Sequence, residues 1–96
     1  MMEDYPTEEQ LDLIRTFPVN DIADCYELLS MAIVLWHWHD MITIRWGVWT
    51  FITGGWSGNE DIISALKANT MFWMMMWQSS DRGGKHVFCK AGALLP

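Results

Sequence analysis

Seven tryptophans in a chain of 96 residues constrain this fold more than any other feature. Each indole covers about 150–250 Å² when buried, so together they ask for about 1,000–1,750 Å² of interior. A chain of this length exposes roughly 5,700 Å² folded against about 16,000 Å² unfolded, which permits a single domain, residues 1–96, with a thin core. Eight Met and four Phe compete for the same space. The sequence therefore predicts that part of the aromatic surplus stays at the surface, at residues 36–38, Trp56 and residues 73–77, where it serves a partner.

Charge narrows the partners. Twelve Asp and Glu against six Lys and Arg leave a formal charge of -6, which opposes non-specific attraction to DNA, RNA or anionic lipid. Neither nucleic acid nor a membrane is expected. Eight of the acids lie in residues 3–27 beside the single cation Arg15, while Arg82, Lys85, His86 and Lys90 follow the last acid, Asp81. The stretches 28–39, 46–59 and 68–80 lack charged residues, yet each is shorter than the 18 or so residues a spanning helix needs. The acidic start, MMEDYPTEEQ, is unlike a secretory signal, so the expected compartment is the cytoplasm. Cys25 and Cys89 form no CxxC pair and read as small buried apolar residues.

Local patterns predict an α+β fold. Thr7 and Gln10 have capping-box spacing, and the helix they open ends before Phe17-Pro18. A second helix starts at Asn20 or Asp21, with Ile22, Tyr26, Leu29, Ile33 and Trp36 as its stripe and Leu28, Met31 and Leu35 widening it. From 41 to 53 the period changes to two, a hairpin closed near Trp46-Gly47. If Arg45 faces Val48, then Ile44 faces Trp49 and Ile42 faces Phe51, which gathers four large apolar groups on one face. Trp is awkward at such a turn, so a bulge is expected there. The loop at 54–59 leads to a long helix, capped by Ser57 or Asn59, in which Ile62, Ile63, Leu66, Trp73 and Trp77 share a face. Residues 71–77 are apolar all round and are assigned to that helix because they hold four Met and no β-branched residue. The rival is a strand that turns at 81–84. Residues 85–90 read as a strand joining the hairpin and completing a small antiparallel sheet.

The chemistry-bearing residues point to binding. Glycines running into a helix start present backbone amides suited to an anion, with Trp56 to stack, Ser57 and Asn59 beside it, and Arg82 as the cation. Glu60 and Asp61 oppose that reading, and a strand-to-helix turn uses glycine anyway. His37, His39 and Asp40 lack a third ligand at recognisable spacing, so no metal is expected. Nor is a cofactor. Cys25 or Cys89 with His86 has no spacing that positions a nucleophile against a base. Trp73, Trp77 and the intervening Met suit protein recognition or a twin subunit, set against burial in the domain's own core.

The string Thr53-Gly54-Gly55-Trp56-Ser57-Gly58-Asn59-Glu60, with Ile62-Ile63, Ala65-Leu66, Phe72-Trp73, Trp77, Arg82-Gly83-Gly84 and Phe88, resembles a family of small uncharacterised proteins of bacteriophages and prophages. The resemblance covers roughly the second half of the chain. Where that family follows its RGG with His-Tyr, this chain has Lys85-His86, and no role is carried over for the pair. What the resemblance implies is a small accessory phage product in the bacterial cytoplasm. Together the residues and the resemblance give two expectations for a protein that is not an enzyme. The first is inhibition of a host factor, such as a defence component, through an acidic and aromatic surface. The second is sequestration of a small anionic or nucleotide-like ligand near residues 54–59 and 81–84, at Trp56, Ser57, Asn59, Arg82, His86, Trp73 and Trp77.

Overall fold

The Thr7 to Gln10 spacing closes a helix start from both directions. In the computed structural model, which describes residues 5–90, the Thr7 hydroxyl accepts the Gln10 N–H at 3.1 Å and the Gln10 side chain accepts the Thr7 N–H at 2.8 Å. Helix α1 runs Glu8–Thr16 and stops ahead of Phe17-Pro18, where the proline disfavours further helical turns. Asp21 caps α2 (Ile22–Leu35) by accepting the Asp24 N–H at 3.0 Å. No helix among the described residues is long and apolar enough to cross a membrane.

α2 is apolar around most of its girth, so periodicity could not orient it. It buries Cys25, Leu28, Leu29 and Ala32, a stripe displaced from the Ile22-Tyr26-Leu29-Ile33-Trp36 row. Small side chains let the neighbouring helix approach, and the Cys25 sulfur lies 3.9 Å from that of Met75. Tyr26 is left exposed, stacked on Trp49 with ring centroids 5.9 Å apart.

After a 3₁₀ turn (His39–Met41), β1 (Ile42–Arg45) and β2 (Val48–Ile52) form the hairpin. Their register pairs Arg45 with Val48, Ile44 with Trp49 and Ile42 with Phe51, as the apolar pattern requires. The bulge expected at Trp46 is absent. Trp46 and Gly47 instead both take positive φ, 56° and 76°, the mirror-image turn whose twist matches a hairpin. Gly47 meets this geometry without cost, and Trp46 accepts mild backbone strain while its side chain stands 91% exposed at the tip.

Two expectations about the second half need correction. The long helix is in fact two, α3 (Ser57–Ala68) and α4 (Thr70–Met76), and Trp77 opens a strand, β3 (Trp77–Asp81), that turns at residues 82–84 into β4 (Lys85–Cys89). The sheet thus has four antiparallel strands in the order β1-β2-β4-β3, where three were expected. Asn69 supplies the reason. Its buried side chain donates to the carbonyls of Ile14 and Phe17 at 2.9 and 3.0 Å and accepts the Phe72 N–H at 3.3 Å. One side chain thereby satisfies two carbonyls at the end of α1 and caps α4, which a continuous helix would forgo.

α4 packs on the sheet, α2 on α4 and, through Tyr26, on β2, and α1 and α3 on one another. Phe51 and Phe88 lie at the sheet's centre, fully buried, with Trp36 edge-on to Phe51 at 4.9 Å and Phe72 tilted against Phe88 at 5.5 Å. Trp36 is only 3% exposed, so it leaves the predicted surface surplus and joins the core. Trp46 takes its place outside.

At the far end Gly84 backs onto Thr53, whose N–H donates to the Gly84 carbonyl at 3.0 Å. Gly84 has φ +85°, and a Cβ there would collide with the Thr53 hydroxyl. Urea unfolding of Gly84→Ala is expected to show a loss of about 2–3 kcal/mol from clash and strain combined. Asn69→Ala strands buried carbonyls and uncaps α4, with an expected loss of about 2–4 kcal/mol in the same measurement.

Candidate functional site

The glycine-rich stretch after β2 is first of all a structural knot. Asn59, fully buried, accepts the His37 N–H at 2.8 Å and donates to the carbonyls of His37 and Thr53 at 2.9 and 3.2 Å. The Thr53 hydroxyl donates to Glu60 Oε2 at 3.1 Å and accepts the Gly55 N–H at 3.3 Å. Neither Ser57 nor Asn59 caps α3, whose N-cap is Trp56 with no side-chain bond. The Ser57 hydroxyl pairs instead with that of Tyr5 at 2.8 Å. Trp56 lies against Gly58, where a Cβ would strike its ring. It also packs on His37 at 4.6 Å and on Tyr5 at 5.2 Å. These contacts leave it partly buried.

A different set of residues comes together nearby. A cleft of about 400 Å³ opens between α3 and the β3–β4 hairpin, lined by Glu60, Ser64 and Lys67 from α3, Trp73 from α4, and Ser80, Asp81, Gly84 and His86 from the hairpin. Of the predicted site residues, His86 and Trp73 reach it directly. Trp77 reaches it through Ser80, since its indole N–H donates to Ser80 Oγ at 2.8 Å, and the same oxygen lies 2.8 Å from His86 Nδ1. An indole only donates, so Ser80 Oγ accepts from Trp77, and the direction of its bond with Nδ1 is set by the imidazole tautomer. Burial pushes His86 below the ordinary imidazole value, against the opposing pull of Glu60 and Asp81. Arg82, exposed in the β3–β4 turn, lines neither this cleft nor the two hollows described next.

Those two hollows form one furrow along α1 and α2. The larger, about 500 Å³, is lined by Tyr5, Gln10, Val34, Leu35, Trp36, His37, Trp38 and His39. The smaller, about 210 Å³, continues it along Gln10, Leu13, Met31, Val34 and Leu35. Leu13 is 59% exposed, Val34 76% and Trp38 44%, although each is apolar enough to favour burial. Trp36, on the furrow wall, has a buried indole N–H without an acceptor among the described residues. Helical spacing puts Glu9 on the same face of α1 as Leu13, and Glu27 on the same face of α2 as Met31 and Val34. Arg15, the one cation of this region, is engaged by Glu8 at 3.0 Å and by Asp12.

Composition gave no pointer to the furrow, because Leu13 and Val34 are ordinary helix residues in sequence. Ser80, Glu60 and Asp81 were missed for another reason: with 71–77 assigned to a helix, nothing places Ser80 opposite His86. The strand reading would have done so, since the two pair directly across the ladder. His37, His39 and Asp40 do not assemble a metal site, and no three His, Cys, Asp or Glu side chains group as one among the described residues. Cys25 and Cys89 are buried and unpaired with each other, and burial pushes both thiols up, away from the nucleophilic thiolate.

The folded-state depression at His86 sets a sign for pH. Its folded pKa lies below its unfolded value, so protonation favours the unfolded chain, and stability contributed by this group is lost as pH falls through the ordinary imidazole range near 6.5. Urea titrations at pH 7.5 and 5.0 are expected to show a smaller acid-induced loss in His86→Gln than in the unaltered chain. Comparison with protein-family models, curated proteins and solved structures finds no match to this chain.

Proposed function

We propose that this is a small phage-encoded binding protein, active in the bacterial cytoplasm, that inhibits a host factor such as a defence component by seating one of its segments in the α1–α2 furrow. The supporting observation is the continuity of the two hollows through Gln10, Val34 and Leu35, with exposed Leu13 and Val34 on opposite walls. Burying such side chains in a partner contributes about 1.5–3 kcal/mol each. Acids on both helices, with Arg15 already paired, select a basic amphipathic segment and speed its encounter. The phage setting rests on the sequence resemblance. The partner is thus chosen by charge around an apolar seat.

A second reading, sequestration of a small ligand, is favoured by the cleft beneath the β3–β4 turn, whose volume of about 400 Å³ lies within the range of small-molecule sites. It adjoins the meeting of Thr53 with Gly84, the end of the molecule at which the sequence places a ligand.

The furrow reading is tested by capturing a partner from host lysate on the full chain and repeating the titration with the purified protein. The double variant Leu13→Asn, Val34→Asn, which leaves charge unchanged at two exposed positions, is expected to weaken binding at least about tenfold. Added salt is expected to weaken it further. Trp46→Ala, at the opposite hairpin tip, serves as the control. Unaltered affinity in the double variant, with loss in Trp46→Ala, would move the interface away from the furrow.

A further inference from the structure

The cleft between α3 and the β3–β4 hairpin has a charge opposite to the one an anion needs. Glu60 and Asp81 line it, Asp81 opposite Lys85 across the β3–β4 ladder, and Lys67 is the single Lys or Arg on its lining. Neither carboxylate is paired with a cation among the described residues, where the ion pairs belong to Arg15. Burial lowers the His86 pKa from its ordinary value, against the pull of Glu60 and Asp81, which disfavours a positive charge there. The field of the whole chain, with a formal charge of -6, has the same sign.

The lining also has a flat, fixed component. Trp73 is stacked on Trp77 at 5.6 Å with planes 14° apart and stands edge-on to Phe88 at 5.6 Å. Trp77 is in turn tethered through Ser80 to His86. An indole already immobilised by packing loses little entropy when a ligand ring lies against it, and its π face attracts a cation. The His86 ring, with Nδ1 engaged by Ser80, is fixed at the wall of the cleft.

We propose that this cleft binds a small planar cation, an aromatic or heteroaromatic ring carrying a protonated amine or amidine, with Glu60 and Asp81 holding the cationic group and Trp73 the ring. The proposal rests on the ligand-binding reading and replaces its anionic ligand with a cationic one. Charge-assisted contacts to carboxylates supply the selectivity.

Three probes separate the possibilities in titrations of the full chain followed by the indole N–H signals of Trp73 and Trp77 in two-dimensional NMR. Benzamidine is the planar cation, benzoate its isosteric anion, and adenosine monophosphate an anionic nucleotide. Saturable shifts with benzamidine alone are expected, weakened about three- to tenfold by Asp81→Asn and again by Glu60→Gln. Because Glu60 also accepts the Thr53 hydroxyl, Asp81→Asn, which makes no such bond, is the primary variant. Benzamidine binding that ignores both substitutions overturns the proposal. Tighter binding of benzoate or the nucleotide overturns the cation while preserving the ligand-binding reading. Silence from all three probes overturns both.

Discussion

The carboxamide of Asn59 is the interaction on which the arrangement depends. Two layers must be joined where α2 has ended and β2 has not yet become α3, and neither segment there has a regular ladder to offer. One buried side chain stands in for it, pairing with both backbone groups of His37 and with the Thr53 carbonyl. An amide can do this because it carries two donors and an acceptor in one plane. Aspartate, serine or threonine cannot supply that set. With His37 held, Trp36 is directed into the core against Phe51 and Trp38 is placed against Gly54. With Thr53 held, the β3–β4 turn docks through Gly84.

Asn69 repeats the device at the other end of α3. It satisfies carbonyls left over by α1 and caps α4, so the helix layer is stitched by two buried amides at either end of one helix. The consequence reaches both candidate sites. Asn69 fixes the break that lets residues 77–81 return as a strand, and that strand brings Ser80 to His86. Beside the same amide α1 packs on α3, and its other side lines the furrow with α2.

The tryptophans divide by what each can reach. Trp36 and Trp73 find partners in the core, Trp56 packs on Tyr5, His37 and Gly58, and Trp46 stands 91% exposed at the hairpin tip. A surplus was legible from composition alone, whereas its location was not. Trp36 was expected outside and Trp46 was not singled out, because exposure depends on which neighbours the turn and the helix end present.

The sequence by itself determined the features governed by near neighbours: the capping box at Thr7, the stop at Phe17-Pro18, a start for α2 at residues 20–21, the Ile42-Phe51 register and a strand starting at Lys85. Each follows from contacts a few residues apart or from a period-two pattern with one sound solution. Only the tertiary structure decided the orientation of α2, the break at Asn69, the fourth strand and the residues that share a cleft. α2 and residues 71–77 are apolar on nearly all sides, so local periodicity gives their faces almost equal energies. Pairing with chain far away in sequence, Ile14 with Asn69 and Cys25 with Met75, then selects among them.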